Sequence, residues 1–136
     1  MNNYSKTTFN TILGLKNNRE LALDCPQRVG IYIRVSKHHG TEKGVLETQV
    51  QWYGEQLKTH PHWTIANYYI DVSGTETPAI KRPGFIRMME DAQRGKIDMI
   101  VTRDASRFSR NAKEFIECVQ ALEAIGTKIY FIGKGI

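Results

Sequence analysis

The chain has 136 residues, enough for one domain with a single hydrophobic core and too few for two such domains. Hydrophobic residues make up 40% of the chain and charged residues 24%, which is typical of globular proteins and argues against a disordered or fibrous chain. The formal net charge of +5 favours an anionic partner such as nucleic acid and says nothing about the fold.

The cysteines and the apolar segments indicate in which cellular compartment the protein functions. Cys25 and Cys118 lie far apart, without a CxxC pair or a nearby histidine cluster, so neither a disulfide framework nor a zinc site is indicated. No apolar run approaches the roughly 18 residues that a membrane helix needs, and the first residues lack the pattern of a signal peptide. We therefore expect a cytoplasmic protein.

The first half of the chain predicts two strands separated by a helix. Residues 1–27 have no regular period and are expected to form an extension that is partly helical. Residues 29–35 are β-branched and aromatic in alternation and predict a strand. Apolar residues at helical spacing predict a helix over residues 44–59, and residues 63–70 predict a second strand.

The second half repeats this alternation. Pro83 is suited to the first turn of a helix that ends at Gly95, because its missing N–H is not needed there. Residues 97–102 predict a third strand, residues 111–125 a third helix and residues 127–132 a fourth strand. Strands alternating with helices predict an α/β fold: a three-layer α/β/α arrangement around a mainly parallel sheet of four to five strands.

Such a sheet binds its ligand at the carboxyl ends of its strands. Ser36 follows the first predicted strand, Asp71 the second, and the segment TRDASRFSRN the third. Arg34 lies two residues before Ser36, so both point to the same side of the strand. The sequence therefore places a hydroxyl and a guanidinium at one edge of the sheet.

Arginines concentrate after the third strand. Residues 82–113 contain eight basic and four acidic residues and so account for four of the five net charges. Arg103, Arg107 and Arg110 are spaced by four and three positions, which would align them on one helix face. Guanidinium groups match phosphate geometry, so an anion site is the favoured interpretation, and surface ion pairing is the alternative.

Other chemistries receive little support from the sequence. The phosphate-binding loops GxxxxGK[ST] and GxGxxG are absent, and so is the GxSxG motif of hydrolases. Asp71, Asp98 and Asp104 lie near strand ends, so a two-metal nuclease stays open as a weak alternative.

Several separated motifs resemble one family. The segments VGIYIRVS, DVSGT, RPGF and SRFSRN occur in the order and spacing found in the catalytic domain of serine recombinases, the resolvase/invertase family. The resemblance covers about residues 28–136 and is greatest to the large serine recombinases and transposon integrases. It implies a resolvase-like fold.

The resemblance also implies a mechanism. Ser36 would attack a phosphodiester of double-stranded DNA, forming a 5′-phosphoserine and releasing a 3′-hydroxyl, with no metal, nucleotide or other cofactor. The matching active-site arginines are Arg34, Arg82, Arg107 and Arg110. Full-length relatives act as dimers or tetramers, so a homodimer or tetramer is expected for the full-length protein.

Four further residues are candidates for supporting roles. Ser106 stands where many small members carry an acidic residue, so a carboxylate general acid is not expected there. Gln49 matches a family glutamine, with a positioning role or a plain helix surface as alternatives. Asp71 is equally well interpreted as a strand-end cap or as a site residue, and Arg103 extends the arginine series.

The expected organisation is an N-terminal extension, residues 1–27, followed by a catalytic domain, residues 28–136. The resemblance implies that the C-terminal DNA-binding region is absent, so we expect a catalytic-domain fragment or a truncated reading frame. The alternative function is a non-catalytic α/β module that binds phosphate or DNA.

Overall fold

A computed structural model describes residues 26–36, 44–73, 81–103 and 111–132 of the chain. The extension before Pro26 lies outside these ranges. Strands and helices alternate in the described parts, as β1 (Gln27–Ser36), α1 (Val45–Leu57), β2 (Trp63–Ser73), α2 (Pro83–Gln93), β3 (Met99–Thr102), α3 (Ala112–Ala124) and β4 (Lys128–Phe131).

The four described strands form one parallel sheet in the order β2-β1-β3-β4. This confirms the predicted α/β fold with a parallel sheet. Several strand boundaries were wrong, however: β1 begins at Gln27 and extends to Ser36, β2 extends to Ser73, and β3 begins only at Met99. Ser36 and Asp71 therefore lie within their strands instead of following them, since strand pairing between β1 and β2 continues past the apolar segments.

Helices cover both faces of the sheet, which confirms the three layers. Side chains of β1 alternate between the two faces, with Tyr32 on one side and Ile31, Ile33 and Val35 on the other. Tyr32 lies in a core cluster with residues of α2 and α3, whereas the isoleucines pack with Tyr53 of α1. The α2 and α3 face is the one that carries the candidate site.

The helices end in side-chain caps and in glycines. Asn111 accepts a hydrogen bond from the N–H of Glu114 and so caps α3. Gly95 and Gly126 have positive φ angles just after α2 and α3, a conformation that glycine adopts without strain. α2 begins differently, because Arg82 stands at its cap position and makes no side-chain cap bond.

Among the helices of the described ranges, none is long and apolar enough to cross a membrane.

Candidate active site

Three charged side chains are buried at the carboxyl edge of the sheet. Arg34, Asp71 and Arg82 are 6%, 5% and 3% exposed, and they are the buried charged residues of the described ranges. Arg34 of β1 and Asp71 of β2 are register partners on neighbouring parallel strands, so both point to the same face. Charged groups are rarely buried without a role, since removing them from water is unfavourable unless they are paired.

Asp71, which lies in β2, caps the N-terminus of α2. Its Oδ1 accepts a hydrogen bond of 2.7 Å from the N–H of Gly84, and its Oδ2 accepts one of 2.9 Å from Phe85. These N–H groups have no partner within the helix, and they lie at the positive end of the helix dipole. The carboxylate therefore takes over the capping role that Arg82 cannot fill.

Gly84 makes this approach sterically possible. A Cβ atom at this position would lie 2.8 Å from the carbonyl oxygen of Ile70 and 3.0 Å from each carboxylate oxygen of Asp71. Any larger residue would push α2 away from the end of β2. The glycine of the RPGF motif thus allows the contact between the carboxylate and the helix.

Tyr32 connects the carboxylate to the arginine. Its hydroxyl donates a 2.8 Å hydrogen bond to Asp71 and accepts one of 2.8 Å from Nη1 of Arg82. The Arg82 guanidinium also lies 5.4 Å from the centre of the Phe85 ring and 5.8 Å from that of Tyr32, within cation–π range. Contacts with two residues, Tyr32 and Phe85, therefore fix the position of this guanidinium.

Burial raises the pKa of the Tyr32 hydroxyl above its ordinary value, and the neighbouring Arg82 only partly opposes this effect. The hydroxyl is therefore protonated at neutral pH and serves as a hydrogen-bond donor and acceptor. It does not supply a second negative charge to the cluster. With two guanidinium groups and one carboxylate, the described cluster carries a net positive charge.

The backbone of Ser36 lies at the same edge. β1 ends at Ser36, which pairs with Ser73 two residues beyond Asp71. A buried hydrogen bond of 3.0 Å from the Thr102 hydroxyl to the carbonyl of Tyr32 joins β3 to this part of β1. The predicted nucleophile thus belongs to the strand that also carries Arg34. Its side chain and the predicted residues Ser106, Arg107 and Arg110 lie outside the described structure.

The structure does not bring two supporting candidates into the buried cluster. Gln49 is half-buried on α1, the helix that packs on the opposite face of the sheet. Arg103 is exposed, and its guanidinium lies 5.3 Å from the centre of the Trp52 ring on the same helix. Arg103 therefore contacts α1 and not the group around Asp71.

Sequence reasoning missed Tyr32 as a member of the site. Because side chains alternate along a strand, Tyr32 falls on the same side of β1 as Arg34 and Ser36, which was a usable signal. An aromatic residue in a strand usually packs in the core, and the ring of Tyr32 is indeed buried there. Its hydroxyl, however, has a polar role that the pattern does not reveal.

Asp71 and Asp98 do not meet at one edge, and Asp104 lies outside the described residues. Asp98 precedes β3 at its amino end and is held by Arg28, through side-chain hydrogen bonds of 2.9 Å and a backbone one of 2.8 Å. It therefore lies at the opposite end of the sheet from Asp71. In the ranges that the structure describes, no group of three or more acidic, histidine or cysteine side chains is arranged to hold a metal ion.

Comparisons with known proteins agree with this geometry. Residues 29–136 match the family model described as resolvase, N-terminal domain. No curated protein sequence matches the chain.

Solved structures of related shape come from the same group of enzymes. The catalytic domain of ISC1926 TnpA, an IS607-like serine recombinase, has a TM-score of 0.65 and 20% identity, covering 79% of this chain and 69% of that one. The catalytic domain of TP901-1 integrase has a TM-score of 0.59 and 21% identity, covering 77% and 76%. A serine recombinase from Sulfolobus solfataricus has a TM-score of 0.60 and 26% identity, covering 79% and 71%.

The family match spans most of the chain, and the buried arginines lie where a parallel sheet places its ligand. The chain therefore belongs to the resolvase N-terminal domain family and is a serine recombinase catalytic domain, an enzyme that cleaves and rejoins DNA.

Proposed function

We propose that Ser36 is the nucleophile that cleaves DNA, and that Arg34 and Arg82 bind the attacked phosphate together with Arg107 and Arg110. One observation carries the proposal. The buried charged side chains of the described ranges gather at the edge of the sheet where β1 ends at Ser36. Residues 28–136 form the proposed catalytic unit.

The step exchanges one phosphodiester for another. The Ser36 hydroxyl oxygen forms a bond to phosphorus, the bond from phosphorus to the 3′ oxygen breaks, and the serine proton is transferred so that a 3′-hydroxyl leaves. The same exchange in reverse rejoins the strand. Because the bond is conserved as a phosphoserine, neither a nucleotide nor an oxidant enters the balance.

Fixed guanidinium groups meet the main requirement of this step. Negative charge grows on the phosphate oxygens in the transition state, and donors that are already in place stabilise it without having to reorganise. Arg82 is held by Tyr32, whose hydroxyl is held in turn by Asp71. Tyr32 and Asp71 are thus positioning residues for Arg82.

The proposed substrate is double-stranded DNA, and the proposed active form is a homodimer or tetramer. Family membership supports DNA binding and oligomerisation in general. A cytoplasmic location stays a prediction of the sequence.

A nicked suicide substrate tests the nucleophile. The nick lets the short cleaved strand diffuse away, so the covalent protein–DNA adduct accumulates and is seen on a denaturing gel. We expect the adduct with the native chain and none with Ser36→Ala. Ser73→Ala is the matched control, because Ser73 pairs with Ser36 at the same edge, and it should retain adduct formation.

The arginines are tested by a change that keeps the charge. Arg82→Lys loses the planar guanidinium that Tyr32 positions, so adduct formation should slow by about 10²- to 10³-fold, the usual effect of removing one such donor. If Ser36→Ala retains the adduct, the nucleophile is wrong. If both proteins retain DNA equally and neither forms an adduct, the chain is the non-catalytic binding module.

A further inference from the structure

A groove between α2 and α3 shares Phe85 with the proposed site, but its other lining residues have no part in the chemistry proposed above. It is lined by residues of both helices and has a volume of about 410 Å³. Phe85, Met89 and Cys118 line it with apolar surface, and Ile86 at its margin is 38% exposed. These side chains offer apolar area that a bound segment would bury.

The margin of the groove is acidic. Glu90 comes from α2, and Glu114 and Glu117 come from α3, whereas none of the described residues that line the groove is basic. This charge disfavours DNA. It also disfavours a symmetric contact between two copies of the groove, because the glutamates of one copy would face those of the other. The fitting occupant is a segment that is both apolar and basic.

We propose that the N-terminal segment of this same chain, through residues 9–19, binds in the groove between α2 and α3. Residues 1–19 contain three basic residues and no acidic one, which complements the glutamates. Apolar Phe9, Ile12 and Leu13 are spaced by three and one positions, so they would share one face of a helix, with Lys16 following at the next turn.

The connection between the segment and the domain is short enough to reach. Arg28, just after the start of β1, is hydrogen-bonded to Asp98. Asp98 is only five positions after Gln93, which lines the groove at the C-terminal end of α2. Six residues, 20–25, span about 20 Å when extended. The groove runs along α2 for about 12 Å, from Phe85 to Gln93, a length that residues 9–19 would cover as a helix.

Alkylation of Cys118 tests the docking in the full chain. In a Cys25→Ser background, Cys118 is the single thiol, and the segment would cover it. Burial raises the pKa of this thiol to about 11, so the reaction is followed at a fixed alkaline pH by mass spectrometry. We expect Leu13→Asp, and separately Lys16→Glu with Arg19→Glu, to speed alkylation about tenfold, equivalent to about 1.4 kcal/mol of docking.

Two controls separate docking from general loosening of the domain. Leu23→Asp adds the same charge within the extension but outside residues 9–19, and it should leave the rate unchanged. In a chain whose groove carries Glu90→Lys and Glu117→Lys, the segment with Lys16→Glu and Arg19→Glu should slow the alkylation of Cys118 more than the native segment does. The two proteins compared here have the same groove sequence, so the intrinsic reactivity of the thiol cancels when their alkylation rates are compared.

A disulfide measures proximity directly. With Ile12→Cys in the same background, oxidation should link position 12 to Cys118 within one chain, at a rate that does not change on tenfold dilution. The proposal is overturned if both segment variants react within twofold of the parent, or if no such link forms. Protection of Cys118 that rises with protein concentration would also overturn it and would assign the groove to a second copy.

Discussion

The carboxylate of Asp71 should be the most sensitive polar group of the described structure. It accepts three hydrogen bonds at once, from the Tyr32 hydroxyl and from the N–H groups of Gly84 and Phe85. Asp71→Asn keeps the size of the side chain but replaces one acceptor oxygen with an N–H₂ donor. Whichever way the amide turns, a donor then faces at least one of the three donors that surround it.

The expected loss of stability follows from two contributions. A buried donor left without its acceptor costs about 1–3 kcal/mol. Loss of a negative charge at the N-terminus of α2 adds about 0.3–1 kcal/mol, and more where the site is buried as here. Together these predict that Asp71→Asn lowers the free energy of unfolding by about 2–4 kcal/mol. A small domain with about 5–15 kcal/mol of stability remains folded after such a loss.

Urea unfolding followed by tryptophan fluorescence measures this difference, because Trp63 is buried at the start of β2. The midpoint should fall while the slope of the transition stays the same. Asp91→Asn is the matched control. Asp91 also accepts a hydrogen bond from a tyrosine, Tyr69, at 2.6 Å, but it lies near the C-terminal end of α2, where a negative charge is not favoured. Its substitution should cost less than half as much.

Equal losses in the two variants would refute the reasoning, because they would reduce Asp71 to an ordinary tyrosine partner. A loss below about 0.5 kcal/mol for Asp71→Asn would do the same, since surface changes fall in that range. The cap on α2 would then have to come from another group.

Three further changes test the geometry around this site and away from it. Gly84→Ala would place a Cβ within 3.0 Å of both carboxylate oxygens of Asp71 and should lower the free energy of unfolding in urea by about 1–3 kcal/mol. An unchanged free energy of unfolding would show that α2 can move without loss. The hydrogen bonds from Arg28 hold the pKa of Asp98 below its ordinary value, so this pair stabilises the fold above about pH 4, and the contribution is lost as the pH falls further. In Asp98→Asn the thermal midpoint should therefore depend less steeply on pH between about pH 2 and 5 than in the native chain. Parallel curves for the two proteins would contradict this. Asn111→Ala removes the cap of α3 and should cost about 1 kcal/mol in the same urea assay, with Asn111→Ser as the variant that restores it.

The order of elements could be predicted because it depends on local patterns. β1, α1 and β2 each show their own period in the sequence, and the alternation of strands and helices then leaves few arrangements other than a parallel sheet. The ends of β1 and β2 could not be predicted, because polar residues such as Asp71 continue the strand pairing where the apolar pattern has stopped. Their environment is set by the neighbouring strand and by α2.

The site was predictable to the extent that a strand has a period of two. Arg34 and Ser36 were placed on one side of β1 from that period alone. The hydrogen bond between Arg82 and Tyr32 joins residues 50 positions apart, and no local pattern encodes such a contact. The link from Asp71 to α2 is of the same kind, since it depends on how closely a helix packs against a strand end.

The RPGF segment shows how several requirements combine at one helix start. Pro83 stands at the first helical position, where a missing N–H leaves no bond unmade. Gly84 admits the Asp71 carboxylate, and Phe85 supplies both a second N–H to it and a ring beside the guanidinium. Arg82, at the cap position, is thereby fixed through its backbone by the helix that Asp71 anchors, and through its guanidinium by the tyrosine that the same carboxylate holds. One buried carboxylate thus positions both the backbone and the guanidinium of Arg82. A change at Asp71 should therefore alter the position of Arg82 and the stability of α2 together.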